Sequence, residues 1–583
     1  MRIGIDFGST YSTVAIFNED TDNAEAVSPA EGEPVSIPSV VSYKKSSDTY
    51  LYGRAAKNMV GKKCRIFEAF KMLIATQNKE MLHKRGYDDN FTPAYISSLY
   101  LEHLIKSTLK RFSTKADTND TVEELVICVP EVWGKDPLTQ DGRPILLDIL
   151  QNRIKTKIAT VRTVTEPEAA SAYFAYNYEK KTGKAFNGHL LLIDYGGGTL
   201  DITLTEVTSD GKGSMEICYK DGGGEGENHP NHGTNGVIGC AGIAYMQNVV
   251  LRAIKNSIEG FNEDEIDFSD AAFASAVCEL ENELKSSTND KIEDYYSTFG
   301  KFNSMDKIMN KEVEIFTTID YDGEDINVSY QDLYASYKEV IAPVLQNQIE
   351  EINKKVKECI KKDPCDPNSG ADEDFIIAIV GGFSSFYLVK KQLSYIYNLD
   401  SEDGMDPRTK QLEAGSREQA IALGAALIAE HKVDLKKTAR FSFGIARKEK
   451  DRTTGKWKYT NLYYAIKCHQ VFEPGVPYFI RYEDGSRVSF GNLKGNIKEF
   501  VIEYTERLTH GRPMKCKDEI LDKLKYLPVH GFWYCGFSMD NDDMITFHVV
   551  PDENMDEQYK EIRIPLDSYQ RLFDFSEAKE VVV

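Results

Sequence analysis

The sequence predicts an α/β chain that turns to β structure near its end, and three observations carry that prediction. One strand–turn–strand pattern occurs twice, roughly 190 residues apart. Long segments around the copies carry apolar residues at helical spacing. From about Arg440 that spacing gives way to short apolar runs separated by turn signals.

The first copy reads RIGIDFGSTYSTVAIF, from Arg2 to Phe17, and the second HLLLIDYGGGTLDITLTEV, from His189 to Val207. Each is an apolar run ending in aspartate, then a turn of glycine and hydroxyl residues, then another strand. Leu200, Ile202 and Leu204 alternate with Asp201, Thr203 and Thr205, which predicts a half-buried strand. A third apolar strand, Phe375 to Val380, runs into Gly381-Gly382, and Ser384 or Ser385 is expected to cap the following helix. Ahead of it, Leu345, Ile349, Ile352, Val356 and Ile360 form a helical stripe that reads as core packing. The glycine- and asparagine-rich stretch from Asp221 to Gly236 predicts a loop. Its His229 and His232 have no third metal ligand nearby and read as solvated. HKVDLKKTAR, residues 431–440, reads as an exposed charged linker. Beyond it, Tyr478 to Tyr482 and Arg487 to Phe490 flank Asp484-Gly485, a hairpin signal, and Phe532 to Phe537 and Ile545 to Val550 flank DNDD.

With 70 basic and 92 acidic side chains the formal charge is −22, which argues against a nucleic-acid or anionic-membrane surface. The ten cysteines show no CxxC pair and no metal-ligand spacing; Cys359 and Cys365 are the closest two. Idle thiols in a reducing compartment are expected. The apolar runs are too short to span a bilayer, and a strand begins at Arg2, where a signal peptide would lie. The expectation is a cytoplasmic protein.

Chemistry concentrates at the two turns. A polyphosphate needs backbone amides that approach closely, which glycine permits. Gly8, Ser9 and Thr10 supply one such tip, and Gly196, Gly197, Gly198 and Thr199 another. Face to face, two tips would grip one polyphosphate from both sides. Neither has the GKS/T wording of a Walker loop. Asp6 and Asp194 end the apolar strands in equivalent places, and a Mg²⁺ held between them through waters would compensate their burial. Lys71 is a candidate for the positive charge that a transferring phosphoryl group requires, against the alternative of a snorkelling helix lysine. Glu166, before Pro167 and an alanine-rich helix, is a candidate for orienting water, against the alternative of a helix N-terminal acid. Asp201 shares a strand face with Thr199, towards the expected phosphates.

Together, IDFGST, VPEVW, TEPEAASAY, IDYGGGTLD and VGGFSS resemble the five motifs of the actin, sugar-kinase and heat-shock ATPase superfamily. In detail the wording is similar to the 70-kDa heat-shock proteins, the DnaK-type chaperones, from Met1 to about Glu430. VSYQDLYASYKEVIAPVL and EQAIALGAALIA share that likeness. The resemblance implies a two-lobed, actin-like ATPase fold of duplicated ribonuclease-H-like domains. The lobes would be residues 1–185 and 186–430, joined by linker 431–440 to a β-rich domain at 441–583. It also implies ATP or ADP with Mg²⁺ in the cleft. Asp6, Gly8, Ser9, Thr10 and Tyr11 would form one phosphate segment, and Asp194, Gly196, Gly197, Gly198, Thr199 and Asp201 the other. Gly381, Gly382 and Ser384 would lie against the adenosine. Pro130 and Glu166 would belong to the hinge, and Lys71 matches the family's catalytic lysine in context.

The departures lie mainly on the adenine side. Ser385 stands where the family has an adenine-stacking arginine, and CELENELKSS places Glu281 and Asn282 where it has a basic pair. The family's GGEDFD segment reads GCAGIAYM, from Gly239 to Met246. The linker has Leu435 in place of a leucine run, and no helical lid is expected before Val583. FSFGIAR, Phe441 to Arg447, resembles the start of the family's substrate domain. The resemblance, not these departures, implies a weak, slow ATPase of chaperone type that switches conformation with its nucleotide, with a client polypeptide or protein partner through the C-terminal domain. The alternatives are an actin-like filament or scaffold, a small-molecule kinase and a nucleotide-binding pseudoenzyme.

Overall fold

The computed structural model describes residues 1–112, 121–130, 133, 142–226, 239–261, 270–285, 288–366, 375–398, 419–439, 441–450, 457–468, 470–497, 499–503, 514–515, 517–540, 544–555, 559–568 and 572. They form two compact units, one of Met1–Met215 with Lys220–Asp434, the other of Glu216–Tyr219 with Leu435–Val583. The architecture is mixed α/β with several sheets, and the second unit is β-rich.

Two sheets organise the first unit. In the first, β1 (Arg2–Asp6), β2 (Tyr11–Asn18), β3 (Asn23–Val27), β4 (Thr121–Val129) and β5 (Lys157–Thr165) lie in the order β3-β2-β1-β4-β5. β1 runs antiparallel to β2 and parallel to β4, with Asp6 opposite Thr13 on one side and Cys128 on the other. In the second, β6 (Asn187–Tyr195), β7 (Leu200–Ser209), β8 (Ser214–Glu225) and β9 (Phe375–Val380) run β9-β6-β7-β8. β6 is antiparallel to β7 and parallel to β9, with Asp194 between Asp201 and Val380. The strand that carries the aspartate therefore has the same two kinds of neighbour in both sheets.

Helices cover these sheets because their strands are apolar on both faces. Among the helices are α1 (Phe70–Leu73), α2 (Pro93–Phe112), α3 (Glu166–Thr182), α4 (Gly242–Ser257), α5 (Ala271–Lys285), α6 (Ala342–Ile360), α7 (Tyr387–Tyr397) and α8 (Ala420–Ala429). The stripe on α6 is core, since Leu345, Ile349, Ile352 and Val356 are buried. α8 is buried at all ten positions and lies on β1 so closely that a Cβ at Gly4 would meet the backbone of Ala425 at 2.7 Å. Such contact suits a helix built from alanine and small apolar residues.

Four local expectations need correction. β7 is buried on both faces, Asp201, Thr203 and Thr205 included, because helices cover what the alternation marked as a solvent side. Asp221 to Glu225 continue β8, the glycines being accommodated in a paired strand, while His229 and His232 lie outside the described residues. Neither Ser384 nor Ser385 caps α7; Phe386 is its N-cap, and both hydroxyls donate to nearby carbonyls. The segment read as an exposed linker contains a strand, Asp434–Thr438, with Val433, Leu435 and Ala439 buried.

The second unit has its own aromatic core of Phe443, Phe500, Phe537 and Phe547. β10 (Ser442–Lys450) pairs antiparallel with β11 (Trp457–Ile466) and β12 (Glu499–Glu503). β13 (Phe532–Met539), β14 (Met544–Pro551) and β15 (Ile562–Ser568) form an antiparallel meander. The strands expected around DNDD are β13 and β14. Around Asp484-Gly485 the chain does reverse, with Tyr482 N–H donating to the Ser486 carbonyl at 2.8 Å. Among the described residues, no helix is long and apolar enough to cross a membrane.

Candidate functional site

Both glycine tips follow strands with an aspartate at the last or next-to-last position, Asp6 and Asp194, and they meet each other. A Cβ at Gly197 would collide with the Thr10 side chain, and one at Gly198 with Met72. The first tip is braced by Ser39, whose hydroxyl donates to the Gly8 carbonyl at 2.7 Å and whose N–H donates to the Thr10 carbonyl at 2.8 Å. The second is closed by Gly196 N–H donating to the Thr199 carbonyl at 3.0 Å. It is seated on the start of α4, where Ile243 N–H donates to the Gly197 carbonyl at 2.7 Å.

Beneath the tips sit four carboxylates and a lysine. Lys71, on α1, is 4 % exposed, and its ammonium meets Glu166 Oε1 at 2.5 Å. Glu166 is buried at the start of α3, fixed there by the Thr165–Glu168 capping box and Pro167. Asp194 and Asp201 are buried cross-strand partners. Burial, then the charge of Glu166, raises the Asp6 carboxyl to about 7 in spite of Lys71. Asp194 is pushed well above the usual carboxylate range by burial, then by Glu166, Asp201 and Asp6. Lys71 is raised, because Glu166 and Asp6 outweigh the burial that would lower it. Pro130 is buried just beyond β4. Asp6, Lys71, Glu166, Asp194 and Asp201 thus form one electrostatic cluster, negative in excess of its lysine.

Gly381 follows β9 against this cluster, since a Cβ there would run into the Asp194 carboxylate. Ser384 and Ser385 donate to the carbonyls of Gly381 at 2.6 Å and Gly382 at 2.7 Å. Phe383 stacks on Phe386 at 5.5 Å and meets Tyr195 edge-on at 5.3 Å.

Tyr11 stands in a second cluster. Its hydroxyl donates to Glu281 Oε1 at 2.7 Å and accepts from Lys57 at 2.9 Å. Lys57 also pairs with Glu281 Oε2, and Lys285 donates to Glu281 Oε1 at 2.7 Å while lying 3.3 Å over the Tyr11 ring. Burial would raise the Glu281 carboxyl, but Lys57 and Lys285 hold it at about 2. Sequence reasoning missed Ser39 and Lys57, which carry no motif and are set by the chain's return path; Glu281 was visible only as an oddity on its helix.

The residues present fit a magnesium polyphosphate. Thr10 Oγ1 is buried without a hydrogen-bond partner. The tips are glycine where a side chain would block them, and Asp6 and Asp194 are hard oxygen donors whose charges need compensation. Among the described residues, no group of three or more His, Cys, Asp or Glu is placed to enclose a metal directly. Capture through waters by two carboxylates remains consistent with that set.

Comparison with known proteins adds a separate line. Residues 2–219 match the family model described as Hsp70 protein. The chain is 25 % identical over 436 residues to a chaperone protein DnaK of Cenarchaeum symbiosum, covering 73 % of this chain and 53 % of that one. It is 24 % identical over 433 residues to a DnaK of Nitrosopumilus maritimus, covering 73 % and 55 %. To the chloroplastic heat shock 70 kDa protein 7 of Arabidopsis thaliana it is 30 % identical over 238 residues, covering 38 % and 30 %. The chain thus spans between about a third and about half the length of these curated relatives.

Proposed function

Because this chain is a divergent member of the 70-kDa heat-shock family, we propose that it is a chaperone-type protein that binds ATP with Mg²⁺ and hydrolyses it slowly. The carrying observation is the convergence of Asp6, Asp194 and Lys71 under two glycine tips that meet at Thr10 and Gly197. The shared strand order of the two sheets supports an actin-like fold of duplicated lobes, 1–185 and 186–430, with 431–440 as linker and 441–583 as the partner-binding domain.

In this reading the backbone of Gly8–Thr10 and Gly196–Thr199 binds phosphate oxygens, and Thr10 Oγ1 finds its partner there. Asp6 and Asp194 hold the hydrated cation, and Lys71 stabilises charge on the terminal phosphoryl group once Glu166 shares it. Asp201 and Glu166 hold the attacking water by accepting its hydrogen bonds. Bound Mg²⁺ supplies charge neutralisation on the phosphate oxygens. The tips lie on different sheets, so a ligand gripped by both changes the angle between lobes, which is how such a site acts as a switch. A client polypeptide at residues 441–583 is the expected partner.

Calorimetric titration of ATP and ADP with Mg²⁺, alongside phosphate release, tests this. Asp194→Ala should weaken binding about tenfold or more, whereas Lys71→Ala should keep affinity within about threefold and lower turnover about 100-fold. Absence of nucleotide binding in the wild type would sink the proposal.

A further inference from the structure

The cluster of Tyr11, Lys57, Glu281 and Lys285 has a consequence for what the cleft can read. Resting on the polyphosphate reading above, we propose that the site selects its ligand by phosphates and cation and is indifferent to the base.

Discrimination between bases needs side-chain donors and acceptors left free for the base edge, which then reject the wrong base because they would be buried unpaired. Beside the first tip, among the described residues, Tyr11, Lys57, Glu281 and Lys285 are engaged with each other. Both oxygens of Glu281 are taken, Oε1 by Tyr11 and Lys285 and Oε2 by Lys57. One face of the Tyr11 ring is covered by the Lys285 ammonium at 3.3 Å, closer than a base could stack with that cation in place. Beside the second tip, the hydroxyls of Ser384 and Ser385 are turned onto backbone carbonyls, and Phe383 is committed to Phe386 and Tyr195.

Room is not what is lacking. A cavity of about 350 Å³ opens next to Ser9 and Thr10, with Val40, Ile66, Phe273 and Val277 among its walls. Apolar walls reward the burial of any base and separate one from another only weakly. Arg85, at the same cavity, lies against the side-chain amide of Gln247. Lys62, which also lines it, is exposed, so its contacts to a base edge would be made against water.

Calorimetry of the full chain with Mg²⁺ and, in turn, ATP, GTP and inorganic tripolyphosphate tests the idea. ATP and GTP should agree within about threefold, and tripolyphosphate should follow within about tenfold, the difference being base burial. Glu281→Ala should shift all three affinities by one common factor, since the cluster does not read the base. ATP binding 100-fold tighter than GTP, or a Glu281→Ala protein whose ATP-to-GTP ratio moves tenfold, would overturn the inference and leave the polyphosphate reading standing. Failure of all three ligands to bind would overturn that reading and this inference together.

Discussion

Asp6 shows how one residue couples function to stability. Its carboxyl rises from an ordinary 3.8 to about 7 because it is recessed among carboxylates. Between those values the folded chain holds a proton that the unfolded chain has lost, so folding is favoured at the acid end and loses this contribution as pH climbs through 7. The ligand-free wild type should therefore lose stability from pH 5 to pH 8, by up to about 1.4 kcal/mol per unit attributable to this group. Asp6→Asn should flatten that part of the slope in denaturant titrations, and an unchanged slope would rule out the raised carboxyl. Glu281 has the opposite sign. Held at about 2 by its lysines, it adds stability above its ordinary 4.5 that is lost as pH falls towards 2. Lys71 teaches a different lesson: FEAFKMLIA offers no sign of burial around a charge, and only the return of α3 brings Glu166 to meet it.

At the scale of elements, the contact of α8 with β1 is the least forgiving. Gly4 has no room for a methyl group against the backbone of Ala425, so neither partner can give way by rotating a side chain. Gly4→Ala should cost about 3 kcal/mol in denaturant unfolding, towards the upper end for overpacking, and a loss under about 1 kcal/mol would mean that α8 can shift. The motif strands were legible because their apolar runs and glycine turns are local signals. β7 was legible as a strand but not in its burial, since alternation marks a polar face and cannot tell that a helix covers it. The continuation of β8 through three glycines ran against local propensity, which pairing in the sheet overrides.

For the whole molecule, two compact units imply two cooperative units. Residues 1–434 carry the candidate site and residues 435–583 their own aromatic core, apart from the four residues Glu216–Tyr219 that group with the second unit. Calorimetric unfolding should resolve two transitions, and Mg²⁺ with ATP at 100 times its dissociation constant should raise the first by about 2.7 kcal/mol. A second transition that moves by the same amount would show that nucleotide stabilises both units together.

By itself the sequence determined the strand–aspartate–glycine pattern, its repetition and the resemblance to DnaK-type chaperones, because each is written in contiguous residues whose chemistry is local. Tertiary structure decided the rest. It brought Lys71 to Glu166 across 95 positions and Lys57 to Glu281 across 224, and it pressed Thr10 against Gly197. Such meetings depend on how buried surfaces fit, and charges far apart in the chain become one cluster only when packing removes the water between them.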